Sequence, residues 1–70
     1  MQVEVFKTNV KTKQEANRIV TLIEKQYPHS KVNFDLSDCD KILRITGNGL
    51  DVKSITNLVN KLGYFCAVLI

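Results

Sequence analysis

Hydrophobic spacing in this chain switches between period two and period 3.6, and the order of the switches leaves few folds open. Val3 and Val5 alternate with Gln2 and Glu4 as in a half-buried strand, before a polar stretch from Lys7 to Lys13. Thr12 followed three residues on by Glu15 matches a capping box, in which the hydroxyl takes an orphan amide and the carboxylate reaches back to the cap. Ala16, Ile19, Val20, Ile23 and Tyr27 then recur at helical spacing until Pro28 forbids continuation, which predicts a helix from about Lys13 to Gln26. Val32, Phe34 and Leu36 alternate with Lys31, Asn33 and Asp35, the cleanest strand pattern in the chain. Ser37-Asp38-Cys39-Asp40 supplies turn chemistry, Leu43 and Ile45 flank Arg44 in a third strand, and Thr46-Gly47-Asn48-Gly49 ends it. Asp51 is a good N-cap for a stripe of Val52, Ile55, Leu58, Val59 and Leu62, Gly63 stops that helix, and Phe65 to Ile70 closes the chain as a strand. The order is βαββαβ.

Two short helices cannot bury their stripes on each other and leave four strands idle, so both are expected on one face of an antiparallel sheet. That is an α+β, ferredoxin-like sandwich of strand order 4-1-3-2, formed as a single domain over residues 1–70. Its expected core is Val3, Val5, Ala16, Ile19, Val20, Ile23, Val32, Phe34, Leu36, Leu43, Ile45, Ile55, Leu58, Val59 and Leu62. In this order Lys7 to Thr12, Asp38 to Asp40 and Gly63 to Cys66 share one end of the sheet.

Seventy residues leave little room for an enzyme pocket, and 44% apolar with 24% charged residues is globular composition. A net charge of +3 is too weak by itself to imply nucleic acid. No apolar run is long enough to span a bilayer and no signal-peptide core opens the chain, so the expected address is the cytoplasm and no membrane partner is expected.

Phe34-Asp35-Leu36 resembles the Val-Asp-Leu second strand of heavy-metal-associated domains, the modules of copper chaperones and metal-transporting ATPases. Lys61-Leu62-Gly63-Tyr64 is similar to the basic residue and Gly-Tyr that follow their second helix. The resemblance spans nearly the whole chain and implies the same fold. It also implies a metal site of the form Met-x-Cys-x-x-Cys in the first loop, where two thiolates clamp a soft ion such as Cu(I). Here the loop reads Lys7-Thr8-Asn9-Val10-Lys11-Thr12-Lys13. Registered on the helix, Asn9 and Thr12 stand at the cysteine positions; registered on the second strand, Thr12 and Glu15 do. Neither register supplies a thiol, so no metal and no cofactor are expected by that route.

Cys39 and Cys66 fall at the same end of the expected fold and are the candidates for a relocated metal site. Against that, Asp38 and Asp40 disfavour a thiolate at Cys39, and Cys66 sits in an apolar strand where cysteine acts as a small hydrophobe. Lys7, Asn9, Lys11, Thr12 and Lys13 form a basic loop at a helix N-terminus, a candidate for an anion or an acidic partner. Acylphosphatases, which share the fold, cradle phosphate there with an arginine, whereas Arg18 and Arg44 lie elsewhere. His29 follows Pro28 in a turn with no nucleophile or carboxylate pair beside it, so no catalysis is expected. RNA-binding domains of this topology stack bases on sheet aromatics, but Arg44 and Thr46 occupy the outward positions of the third strand. The last strand is apolar on both alternating faces. One phase puts Phe65, Ala67 and Leu69 outward beside Phe6, a patch suited to a protein partner or a homodimer; the other turns Cys66, Val68 and Ile70 outward. The expected function is a non-catalytic binding module, with a metal carrier using Cys39 or Cys66 and an acylphosphatase-like enzyme as alternatives.

Overall fold

Each helix starts and stops at the chemistry just described. In the computed structural model, which describes residues 1–69, α1 (Lys13–Gln26) follows a complete capping box. The Glu15 amide donates to Thr12 Oγ1 at 3.1 Å, and Glu15 Oε1 accepts from the amides of Thr12 and Lys11, both at 3.2 Å. In α2 (Val52–Lys61), Asp51 Oδ1 takes the amides of Lys53 and Ser54. This helix ends in a Schellman turn: Tyr64 N donates to Val59 O and Gly63 N to Asn60 O, with Gly63 at φ 96° where a side chain would be strained.

The strands β1 (Gln2–Thr8), β2 (Lys31–Asp35), β3 (Ile42–Gly47) and β4 (Cys66–Val68) make one antiparallel sheet of order β2-β3-β1-β4, which counted from the β4 edge is 4-1-3-2. Register sets the faces. Phe6 pairs with Leu43 and Val68, Val32 with Ile45, Phe34 with Leu43 and Thr8 with Cys66, so these side chains share one face. Against it α1 buries Ala16, Ile19 and Ile23, and α2 buries Ile55 and Val59, in a single core that also takes in Val10 and Leu50. Both helices therefore cover the same side of the sheet. Val20, Phe34, Leu36, Leu58 and Leu62 pack at its margin, half-buried. No helix among the described residues is long and apolar enough to cross a membrane.

The phase of β1 corrects the sequence reading. Phe6, expected on the open face, is fully buried, whereas Val3, expected in the core, is 58% exposed and Val5 is half-buried on the open face. A shift of one residue exchanges every side chain between faces. The face is decided by Phe6, which fills the space between Leu43 and Val68, and by Thr8 and Val10, which continue its parity. Gln2 can share that parity because its amide exchanges hydrogen bonds with the backbone of Leu50, at 2.9 Å and 3.2 Å. Phe6 therefore leaves the proposed self-association patch. For β4 the first of the two phases holds: Cys66 is buried, Phe65 and Leu69 are exposed and Ala67 is half-buried on the open face. Ile70 lies outside the described residues.

Candidate functional site

Three loops meet at one end of the sheet, as the strand order requires. Thr8 is their hub. Its amide donates to Asp40 O at 3.0 Å, its hydroxyl donates to Lys41 O at 2.6 Å, and the same oxygen accepts from Val10 N. Across the sheet Asn9 Oδ1 accepts from Phe65 N at 2.8 Å, tying the first loop to the entry of β4. Val10 turns into the core, completely buried. Of the loop residues singled out in the sequence, Asn9 and Thr12 thus serve the fold, while Lys7, Lys11 and Lys13 remain exposed. Lys7 Nζ lies 3.5 Å from Asp40 Oδ1 on the surface.

At the start of α1 the Glu15 amide is taken by the Thr12 hydroxyl and the Ala16 amide by the Thr12 carbonyl. Glu15 holds the amides of Lys11 and Thr12, and these two bonds, Lys11 first, are what lower its carboxyl below the ordinary value. The Tyr64 hydroxyl lies near this carboxylate, and its own pKa is raised, first by loss of water and then by Glu15. The chain's own carboxylate thus caps the two amides that precede the helix.

The cysteines occupy different environments. Cys66 faces the helices opposite Thr8, and burial pushes its thiol up to about 11, only partly offset by a hydrogen bond with Thr56. Cys39 is exposed in the β2–β3 turn. Its thiol, Asp38 and Asp40 bring ligand atoms within 4.8 Å of one another, and this group does not include Cys66. Asp38 Oδ1 is already bonded to Asp40 N at 2.8 Å, a turn-stabilising contact. His29 is exposed in a shallow groove with Tyr27 and Asn48, and neighbouring Ser30 is tied by its hydroxyl to Tyr27 O at 2.7 Å.

The open face of the sheet divides lengthwise. Val3, Val5 and Lys7 on β1 and Ala67 on β4, with Phe65 and Leu69 at its ends, make a mostly apolar half in which the exposed Lys7 stands opposite Ala67. Lys31, Asn33 and Asp35 on β2 and Arg44 and Thr46 on β3, with half-buried Ile42 beside them, make a mostly polar half. Phe65, Ala67 and Leu69 lie where the sequence placed them, and Val3 and Val5 stand in for Phe6. Apolar residues at both parities of Val3-Glu4-Val5-Phe6 hid that exchange; extending the strand through Thr8 to Val10 is the signal that favours Phe6 inward.

The chain matches no protein-family model, no curated protein and no solved structure.

Proposed function

We propose that this chain is a non-catalytic binding module of ferredoxin-like architecture, a cytoplasmic relative of heavy-metal-associated domains that keeps their scaffold without their thiol pair. The βαββαβ order and two helices on one sheet face support the architectural part. The observation that carries the functional part is the mostly apolar half of the open face, where Val3, Phe65 and Leu69, exposed 58%, 51% and 42%, border Val5 and Ala67 around a single charged side chain, Lys7. Neighbouring apolar side chains left in water form the kind of surface that protein partners cover. The internal bonds that the first loop makes through Thr8, Asn9 and Glu15, and its lack of cysteine, support a structural role for it over a phosphate cradle or a thiol clamp.

Native mass spectrometry of the protein purified from its own cells tests this reading. A protein partner in the native chain that is absent from Leu69→Lys supports it. Stoichiometric metal or a small-molecule ligand in place of a partner overturns it.

A further inference from the structure

A second surface lies at the opposite edge of the sheet, where, among the described residues, β2 is bonded only to β3. Backbone parity can be followed strand by strand. Leu69 N donates to Val5 O, so the odd residues of β1 turn their peptide groups toward β4 and the even ones toward β3. Gly47, Ile45 and Leu43 answer the even residues, which turns Thr46, Arg44 and Ile42 toward β2. Their partners Lys31, Asn33 and Asp35 are thereby used, and the N–H and C=O groups of Val32 and Phe34 face outward along the free edge.

Beside this edge runs a groove between β2 and α1 whose floor is apolar, with Ala16, Val20, Val32, Phe34 and Leu36, and whose remaining lining is Lys13, Asn17 and Asn33. An exposed edge next to such a groove is suited to an added strand, whose backbone continues the ladder while alternate side chains enter the groove. The charges on β2 select the strand. Lys31 and Asp35 stand symmetrically about Asn33 on the open face. When two copies of β2 pair antiparallel about Asn33, Val32 meets the partner's Phe34 with both hydrogen bonds available, and Lys31 meets the partner's Asp35. The two-fold repeats each contact. Registers centred on Val32 or Phe34 also align the free backbone groups but place no opposite charges across from each other. Ser37 bonds Asp35 Oδ1 through both amide and hydroxyl, Oδ2 takes no hydrogen bond among the described residues, and the charge of Arg44 on the same face also favours this carboxylate. Lys31 takes part in no ion pair among the described residues.

We propose that the occupant of the β2 edge is a second copy of this chain, joined antiparallel about Asn33 into a continuous eight-stranded sheet with both helical layers on one side. The contact is independent of the open-face surface described above and leaves that surface free on both copies.

Sedimentation over a concentration series at low salt, up to about 1 mM to reach a weak complex, tests it with exposed charges only. The native chain dimerises. Lys31→Asp and Asp35→Lys, each placing like charges opposite one another twice, weaken the dimer about tenfold. An equimolar mixture of these two variants forms a heterodimer of native strength, because both cross-strand pairs are then complementary. Amide exchange on the native chain needs no variant, and Val32 and Phe34 slow as concentration rises. A chain that stays monomeric, with Val32 and Phe34 amides indifferent to concentration, overturns the proposal. So does a dimer insensitive to both charge reversals but lost in Leu69→Lys, which would place the contact on the open face. Protection of Val32 and Phe34 only when a foreign extended segment is added also overturns it.

Discussion

Truncating Phe6 is the sharpest test of how β1 sits in the sheet. The ring is fully buried, with Leu43 beside it on β3 and Val68 beside it on β4, so Phe6→Ala removes a large side chain from the middle of the core. Such truncations cost about 3–5 kcal/mol, against a total of roughly 5–15 kcal/mol for a folded domain. With a urea dependence of about 1 kcal/mol per molar for a small chain, the midpoint falls by about 3 M or more. Val3→Thr keeps the β-branched shape at a site 58% exposed. Its effect stays within about 0.5 kcal/mol. The chain has no tryptophan, so the assay is far-UV circular dichroism against urea. Phe6→Leu, a smaller loss, stays measurable if the alanine variant does not fold. The reasoning fails if Val3→Thr costs more than about 2 kcal/mol while Phe6→Ala costs less than about 1.

Further outcomes follow from the loop end of the sheet. In the native state a thiol reagent labels Cys39 promptly and Cys66 only as fast as the protein opens; prompt reaction of both would show that Cys66 is not buried. Because the Cys66 pKa is raised, stability is unaffected near neutrality and declines as pH rises from about 9 toward about 11, and Cys66→Ala flattens that alkaline limb. Thr12→Ala costs about 0.5–2 kcal/mol as a lost cap, measured by thermal melting. Glu15 has a depressed folded pKa, so its contribution is present above the ordinary carboxyl value and is lost as pH falls through the folded one; Glu15→Gln therefore softens the acid limb of the stability profile. Cu(I), titrated under reducing conditions against a chelator, binds no tighter than to an unrelated protein with two free thiols; tight one-to-one binding abolished by Cys39→Ser refutes this.

Where local chemistry decides a structure, the sequence could be read directly. Thr12 with Glu15, Asp51 and Gly63 mark helix ends through bonds made within a few residues, and each is found where it was expected. The convergence of the three loops was legible too, since it follows from strand order. The phase of β1 was not, because Val3, Val5 and Phe6 offer apolar groups to both faces and the choice depends on Leu43 and Val68, far along the chain. The bond from Phe65 N to Asn9 joins residues 56 apart, and nothing local to Asn9 announces it. The open-face patch was thus recognised on β4 and misplaced by one residue on β1.

The central position of β1 has a consequence for how the molecule folds. Both its neighbours lie far along the sequence: Phe6 pairs with Leu43 and, on the other side, with Val68. As the chain folds, β1 finds no ladder nearby, while β2 and β3 can close locally as a hairpin across the Ser37 to Lys41 turn. The sheet is completed only when β1 inserts between β3 and β4, so its folding time is set by long-range closure and not by the speed of either helix.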